Sequence, residues 1–310
     1  MISSDALGAI GNTPLVRLNR VVPKGCARVF AKLEFANPTG SMKDRVAKAI
    51  IDGAVARGKI KPGSTVVEYT AGTTGISLAF VCAAKGYGLH IVFSDAFSEE
   101  KRWTMKAFGA EITDVKSEGG RITEKLIREM IDVAGRISQR PHHWWSDQLR
   151  NHDAIAGYLP MGEEIWRQTA GEIDAFVQVV GTAHSLHGVT QALWEHKRGI
   201  RIAAVEPAES PVLSGGASGS HHIEGIGIGF VPPLWEPSLV NEILRVSDRD
   251  AQEMARRLAR EEGLFVGTSS GANVVASLEI GQRLGPEATV VTVLVDSGFR
   301  YLSTGLFSKS

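Results

Sequence analysis

The chain has 310 residues, of which 43% are hydrophobic and 22% are charged, and its 34 basic side chains balance its 34 acidic ones. A chain of this length exceeds the size at which a single hydrophobic core usually stops growing, so two domains are expected. The balanced charge gives no electrostatic attraction for nucleic acid or for an anionic membrane, and the expected partner is a small molecule.

The first half of the chain alternates between strand and helix patterns. A turn and a short strand are predicted at 10–18, and the turn pairs at 37–40 precede a helix with Ser41 as its N-cap and Lys43 in its first turn. Short apolar runs predict buried strands, and apolar residues at helical spacing predict helices. The strands are 65–69, 89–93 and 111–115, and the helices are 75–84, 99–108 and 122–137.

The same alternation continues after a polar segment at 141–151, and the change of domain is placed near Ser146. Strands are predicted at 176–180, 201–205 and 289–295, and helices at 186–197, 248–262 and 271–284. A Gly/Ser-rich segment at 214–220 is predicted to be a mobile surface loop. The predicted fold class is therefore α/β, with two three-layer α/β/α domains whose sheets are mainly parallel.

Cysteine content and hydropathy bear on the cellular location. Cys26 and Cys82 are the only cysteines and lack metal-ligand spacing, which favours a reducing cytoplasm over a disulfide-bonded secreted protein. Residues 1–5 lack a basic segment followed by an apolar one, so no signal peptide is expected. The longest apolar segment, 78–93, is interrupted by Lys85 and by two glycines, and it is too short to span a bilayer. A cytoplasmic protein is predicted.

Lys43 is the first candidate functional residue. It lies between a turn-rich segment and the predicted helix, where the positive end of the helix dipole disfavours a second positive charge. The pKa of its ammonium group is therefore expected to be lowered, which makes the free amine more available as a nucleophile. A solvated lysine at an ordinary helix start is the alternative interpretation.

Further strand–turn–helix segments offer anion sites, because the amides at a helix N-terminus bind negative charge. Residues 70–76 could hold a carboxylate, although a capping turn without a ligand has the same pattern. Residues 180–185 could hold a phosphate. In a third such segment, 267–273, Ser270 is expected to cap the helix.

Residues 221–232 contain a Gly-x-Gly-x-Gly run. The run is not a dinucleotide-binding fingerprint, because two prolines follow it instead of a helix. The paired His221 and His222 have no third ligand at suitable spacing. A surface loop is therefore predicted, and no metal site.

Residues 32–45, KLEFANPTGSMKDR, closely resemble the lysine motif of the cysteine synthase (O-acetylserine sulfhydrylase) and cystathionine β-synthase family. These are pyridoxal-phosphate (PLP) enzymes of fold type II, the tryptophan synthase β-like fold, and similar blocks occur through nearly the whole chain. The resemblance implies that PLP lies between a smaller domain at 40–146 and a larger domain formed by 1–39 and 147–310. It further implies a homodimer in which Lys43 is the catalytic residue and binds PLP through its amine.

The resemblance also implies which residues hold the cofactor. They are Lys43, Thr73, Gly181, Thr182, Ala183, His184, Ser185, Ser269 and Asp296. The family has glycines where this chain has Ala183 and His184, so the phosphate-binding turn either keeps to dihedrals open to other residues or is reshaped. His184 either donates a hydrogen bond to the phosphate or is simply packed or exposed. Ser269 matches a serine that bonds the pyridine nitrogen and leaves it largely unprotonated, which suits β-elimination and replacement.

The substrate-binding residues implied by the resemblance surround an amino-acid carboxylate. They are Thr70, Ala71, Gly72, Thr74, Gln148 and Gly225. The family has Ser at the position of Ala71, so this chain lacks one donor to the carboxylate. The family has Asn at the position of Thr73, and that Asn donates a hydrogen bond to the PLP 3′-oxygen. Because of these changes the sequence does not identify the substrate, but it still predicts an amino acid.

The implied reaction is the β-replacement of a transferase, in which a cysteine synthase forms L-cysteine from O-acetyl-L-serine and sulfide. Replacement with another nucleophile is one alternative. PLP-dependent β-elimination by a lyase, such as a cysteine desulfhydrase or a serine/threonine dehydratase, is another. A regulatory protein that binds PLP without catalysing a reaction is a more distant alternative. A Rossmann oxidoreductase is disfavoured because no G-x-G-x-x-G follows a strand.

Overall fold

Two β-sheets organise residues 3–307, which are the residues that the computed structural model describes. The strands in chain order are β1 (Leu15–Arg17), β2 (Arg28–Leu33), β3 (Thr65–Tyr69), β4 (Gly88–Ser94), β5 (Glu111–Val115), β6 (His143–Trp145), β7 (Ala175–Val179), β8 (Arg201–Pro207), β9 (Glu242–Val246) and β10 (Thr289–Leu294). The larger sheet has the order β1-β2-β10-β7-β8-β9, and the smaller has the order β5-β4-β3-β6. Within the described residues, every strand pair is parallel except β1–β2.

Helices lie on both sides of the two sheets, as parallel strands require for their crossover connections. In chain order they are α1 (Lys43–Ala56), α2 (Thr73–Lys85), α3 (Glu99–Ala107), α4 (Glu124–Ser138), α5 (Asp153–Ala156), α6 (Leu159–Gln168), α7 (His184–His196), α8 (Asp248–Arg257) and α9 (Thr268–Leu284). A 3₁₀ segment, Gly298–Thr304, follows β10. Between residues 3 and 307, no helix is both long and apolar enough to cross a membrane.

The predicted α/β class with mainly parallel sheets is confirmed, and two local predictions need correction. The helix predicted at 248–262 is divided, because α8 ends at Arg257 and a π-helical turn, Leu258–Glu262, continues it. The residue that directly precedes α1 is Met42 rather than Ser41, although the Ser41 Oγ accepts a 3.2 Å hydrogen bond from the Lys43 backbone N–H, as a capping serine does. Residues 214–220 are exposed, as predicted for a surface loop.

Helix α1 packs against both hydrophobic cores of the protein. Val46 and Ile50 belong to the core of the larger sheet, whereas Ala47 and Ile51 belong to the core of the smaller one. These pairs lie on adjacent faces of the helix, because residues four apart in a helix share a face. The helix that begins with Lys43 therefore lies at the junction of the two cores.

A buried group of ionised side chains also fixes α1. Arg45 Nε lies 2.8 Å from Glu34 Oε2, and Arg45 Nη2 lies 2.8 Å from Glu164 Oε2. Lys32 Nζ lies 2.6 Å from the same Glu164 oxygen. Two cations and two carboxylates thus neutralise each other, as buried charges require. The group ties α1 to β2 and α6.

Candidate active site

A cleft of about 790 Å³, measured with its open mouth, lies next to the ends of β3 and β7. Ligands of parallel α/β proteins bind at the carboxyl ends of the strands. The predicted site residues that line the cleft are Lys43, Thr70, Ala71, Thr73, Thr74, Gln148, Thr182 and Gly225. The predicted site residues that do not line it are Gly72, Gly181, Ala183, His184, Ser185, Ser269 and Asp296.

Lys43 is the first residue of α1, and its side chain lines the cleft. Its Nζ lies 5.9 Å from the centre of the Tyr158 ring. Burial lowers the pKa of Lys43 to about 8, and the negative charge of Asp296 opposes this shift in part. The predicted direction is confirmed, and the largest cause is burial. A pKa near this value leaves a useful fraction of free amine at neutral pH.

The turn between β3 and α2 is shaped by Thr70 and Gly72. The Thr70 Oγ1 accepts hydrogen bonds from the backbone N–H groups of Gly72, at 2.9 Å, and Gly75, at 3.3 Å. Gly72 has φ 120°, and a Cβ there would lie 2.4 Å from Lys101 Cδ. Only glycine fits this position. The turn therefore brings Ala71 and the N-terminus of α2 to the cleft, where an anion is stabilised.

The Gln148 side chain is buried beside this turn. Its Oε1 accepts a 2.9 Å hydrogen bond from the Thr74 hydroxyl, and its Nε2 donates a 2.9 Å hydrogen bond to the Tyr69 carbonyl. One N–H of the amide remains, since an amide nitrogen has two donors. Gln148 and Thr74 thus form one polar wall of the cleft.

The turn between β7 and α7 has a residue in the left-handed conformation, although that residue is an alanine and not a glycine. Ala183 precedes α7 with φ 68° and is buried. An alanine in this region costs about 1–2 kcal/mol. Gly181 approaches the neighbouring loop closely, because a Cβ there would lie 2.3 Å from the Gly225 carbonyl oxygen. The turn therefore retains a tight conformation and accepts the strain at Ala183.

His184 and Ser185 form the first residues of α7, and both side chains are buried. His184 Nδ1 lies 2.9 Å from Thr182 Oγ1, and its Nε2 has no hydrogen-bond partner within residues 3–307. The pKa of His184 is held well below its ordinary value, first by burial and then by the positive charge of Lys43. The Ser185 Oγ accepts a 3.2 Å hydrogen bond from Gln178 Nε2, which leaves its own hydrogen free to donate.

The start of α9 places Ser269 and Ser270 in different roles. Ser269 is buried, and among the described residues no hydrogen bond involves its hydroxyl. The prediction that Ser270 caps the helix is wrong. Its Oγ accepts a 2.8 Å hydrogen bond from the backbone N–H of Val295, so it joins α9 to the end of β10.

Asp296 is buried directly after this strand. Its Oδ2 accepts a 2.7 Å hydrogen bond from the Tyr301 hydroxyl, and its Oδ1 has no partner in the described part of the chain. Burial raises the pKa of Asp296, and the positive charges of Arg300 and Lys101 oppose this. The carboxylate acts on Lys43 through its charge.

The loop at 221–232 is not the surface loop that the sequence predicts. His221 is buried, and its Nε2 lies 2.7 Å from the Gly227 carbonyl oxygen. Ile226 and Ile228 line the cleft together with Gly225. His222 alone of the pair is exposed, and its Nδ1 lies 2.7 Å from Asp248 Oδ2. The contact between His221 and Gly227 folds the loop into a wall of the cleft.

Two charged residues of the site have no signal in the sequence. Lys101 of α3 is buried, forms an ion pair with Glu224 and lies 4.7 Å from the centre of the Tyr301 ring. Glu68, at the end of β3, is fully buried and accepts a hydrogen bond from the Gln148 backbone N–H. Their partners are far away in the sequence, so no local pattern identifies either of them.

The fold and the site together define a parallel α/β enzyme whose cleft carries a lysine of lowered pKa between two helix N-termini. Residues 6–296 match the family described as pyridoxal-phosphate dependent enzyme, and the chain belongs to this family. PLP is the cofactor of the family. The resemblance indicated by the sequence motifs is thereby confirmed.

Three relatives give more detail. The chain is 43% identical to a cysteine synthase of Staphylococcus aureus strain Mu50 over 301 residues, which cover 96% of this chain and 95% of that protein. Its structure resembles a cysteine synthase from Entamoeba histolytica with a TM-score of 0.93 at 38% identity, covering 100% of this chain and 92% of that one. An O-acetylserine-dependent cystathionine β-synthase from Helicobacter pylori matches with a TM-score of 0.92 at 34% identity, covering 99% of each chain.

Proposed function

We propose that this protein is a PLP-dependent cysteine synthase, which replaces the β-acetoxy group of O-acetyl-L-serine with sulfide to form L-cysteine. The observation that carries the proposal is the position of Lys43, whose pKa of about 8 belongs to an amine in a cleft beside two anion-binding turns. The 43% identity to a cysteine synthase supports the choice of reaction.

The residues around the cleft fit PLP. The Thr182 hydroxyl lines the cleft at the start of α7, and the Ser185 hydroxyl has a hydrogen free to donate, so both suit a phosphate group. Ser269 is a buried residue whose hydroxyl takes part in no hydrogen bond within residues 3–307, which suits a pyridine nitrogen. Lys43 offers its amine to the aldehyde. When bound, PLP supplies an electron sink that stabilises negative charge at the Cα of an amino acid.

Lys43 has two roles in the proposed reaction. Its amine binds the cofactor, and after an amino acid has displaced it, the same amine removes the Cα proton and later returns it. The lowered pKa suits both roles, because a general base works best when its pKa is near the operating pH. A protonated ammonium could neither bind the aldehyde nor accept the Cα proton.

The carboxylate of the amino acid is assigned to the turn after β3. The α2 N-terminus attracts its charge, and the Thr74 hydroxyl and the Gln148 amide lie together beside it. Ala71 contributes no side-chain donor. The substrate is therefore held by fewer hydroxyl groups than the family pattern has, and its affinity is expected to be lower.

A second candidate is replacement with a thiol larger than sulfide. The side chains of Phe97, Ile122, Ile127 and Ile228 form an apolar wall in the cleft, which sulfide alone does not need. The similarity to a cystathionine β-synthase points in the same direction. A thiol with an aliphatic side chain would bury apolar surface against this wall.

The proposal extends to the organisation of the protein. A smaller domain at 40–146 and a larger one from 1–39 and 147–310 would each contain one sheet, with PLP between them. A homodimer is proposed from the family resemblance. A cytoplasmic location is proposed because Cys26 and Cys82 are both free and buried.

The test is a spectral and product titration of the purified protein. We expect O-acetyl-L-serine to change the visible spectrum of bound PLP, and L-cysteine to form only when sulfide is also present. O-phosphoserine, cysteine and serine serve as comparison substrates. Release of pyruvate at the same rate with and without sulfide would show a lyase instead.

A further inference from the structure

His184 is a buried side chain that the proposed reaction does not use. It is the first residue of α7, and its ring is 1% exposed. Its Nδ1 lies 2.9 Å from the Thr182 hydroxyl, which lines the cleft, whereas the ring itself does not line the cleft. The imidazole therefore contacts the cleft only through this hydroxyl.

The direction of the His184–Thr182 hydrogen bond decides what Thr182 can offer a ligand. If the hydroxyl donates to Nδ1, it has no hydrogen left for an anion. If Nδ1–H donates to the hydroxyl oxygen, the hydrogen of Thr182 is free to point into the cleft. A phosphate group in the form of its dianion only accepts hydrogen bonds, so it requires the second arrangement.

We infer that His184 is a positioning residue for the phosphate of the cofactor: its Nδ1–H donates to Thr182 Oγ1 and turns the hydroxyl hydrogen towards the phosphate. The inference rests on the proposed use of PLP at this site. It concerns a residue of this chain that replaces a glycine of the family pattern. His184 acts through Thr182 and has no direct contact with the phosphate.

The surroundings of His184 favour a neutral ring. Burial is the first cause that lowers its pKa, and the charges of Lys43, His187 and His152 lower it further, while a hydrogen bond from the ring to the Gln148 backbone carbonyl raises it. This carbonyl competes with Thr182 for the single proton of the neutral ring, but no partner lies within hydrogen-bond distance of Nε2 in residues 3–307. A neutral ring has a single N–H, so its tautomer matters. Protonation of the second nitrogen would leave the Nδ1–H in place, and the bond to Thr182 would keep its direction.

The phosphate can be isolated by comparing PLP with pyridoxal, which lacks it. Dissociation constants of both are measured on the full chain after removal of the cofactor, for the native protein and for His184→Ala and His184→Asn. For His184→Ala we expect PLP to bind about tenfold more weakly while pyridoxal is unaffected, since one charge-assisted hydrogen bond loses its orientation. His184→Asn keeps an N–H near the position of Nδ1 and should retain most of the affinity for PLP.

The matched control is His187→Ala, because His187 lies one turn further along α7, and its buried Nδ1 has no hydrogen-bond partner within residues 3–307. This variant should leave the affinity ratio of PLP to pyridoxal unchanged. Equal weakening of both ligands in His184→Ala would show a general packing role and overturn the inference. Unchanged affinities for both ligands would overturn it as well.

A second measurement does not depend on any variant. In ¹⁵N-histidine-labelled holoenzyme, the ring nitrogens of His184 should show a proton on Nδ1. A neutral ring with its only proton on Nε2 would overturn the inference. Absence of cysteine synthesis would refute the proposed function but not this inference, whereas equal affinities of the native protein for PLP and pyridoxal would refute the phosphate site itself.

Discussion

Glu68 Oε2 lies 2.9 Å from the backbone nitrogen of Gln148, so the end of β3 is bonded directly to the segment that carries this glutamine. The same oxygen accepts a 2.7 Å hydrogen bond from the Ser146 hydroxyl, and Oε1 accepts a 3.0 Å hydrogen bond from the Tyr69 backbone N–H. The two segments that form the carboxylate side of the cleft are thus held in register by one buried carboxylate.

Replacement of Glu68 by Gln should change how stability depends on pH. Burial raises the pKa of Glu68 from an ordinary 4.5 to about 7. Between these values the folded protein binds more protons than the unfolded chain, so stability falls as pH rises through this range, by roughly 3 kcal/mol from this group. Urea unfolding of the native protein at pH 5.5 and pH 7.5 should show about 2 kcal/mol of this loss, because part of it falls below pH 5.5.

The Glu68→Gln variant should lose most of that difference, because glutamine does not titrate. Its KM for the amino acid should rise at pH 7.5, since the amide NH2 would replace the oxygen that accepts the hydrogen bond of the Tyr69 backbone N–H. Identical pH profiles of the two proteins would contradict the assignment.

Lys43→Ala should abolish turnover and the visible absorbance of lysine-bound PLP. The rate at which native protein captures added PLP should rise with pH around 8, because the amine must be unprotonated to react. Lys48→Ala is the control, since Lys48 lies on the same helix, is partly exposed and pairs with Asp52 at 2.6 Å. A Lys43→Ala protein with full activity would remove this residue from the mechanism.

Gly181→Ala should damage the phosphate side of the cleft. The new methyl would lie 2.3 Å from the Gly225 carbonyl oxygen, so the two loops must separate, at about 1–3 kcal/mol of stability. The affinity for PLP should fall together with the stability. Gly199→Ala provides the matched control, because a Cβ there meets nothing within 4 Å. Thermal unfolding and PLP titration of both variants measure the difference, and equal behaviour would show that the close approach is not needed.

Ala71→Ser should restore a hydroxyl at the carboxylate turn. Ala71 lines the cleft, so the added hydroxyl could donate to the substrate carboxylate and lower KM for O-acetyl-L-serine by about tenfold. Ala71→Gly changes the size of the side chain without adding a donor and should not lower KM. Steady-state kinetics of the three proteins would decide, and an unchanged KM in Ala71→Ser would place the carboxylate elsewhere.

The elements that the sequence predicts well are those whose signal is local. Strand β3 is a short apolar run between turns, and its predicted bounds match the structure. Strand β2 was not predicted, because it contains the buried Lys32, whose charge is balanced by Glu164 far along the chain. Strand β9 has two charged residues in five and was missed for a similar reason.

The same distinction applies to the site. Lys43 is recognisable from the residues around it, and its place at a helix start predicts the direction of its pKa shift. The cause of the shift in the folded protein is burial, which depends on two cores that meet only in the folded chain. Likewise, His221 is predicted to be exposed because its partner, the Gly227 carbonyl, becomes available only once the loop has folded back.

The shared position of α1 has a consequence for hydrogen exchange. Because Val46 and Ile50 are buried in one core and Ala47 and Ile51 in the other, the middle of the helix has no face on which it could detach while either core stays closed. Its amide hydrogens should therefore exchange with solvent only when the entire molecule unfolds. The segment that carries the reactive amine would then be among the last parts of the protein to become accessible to proteases.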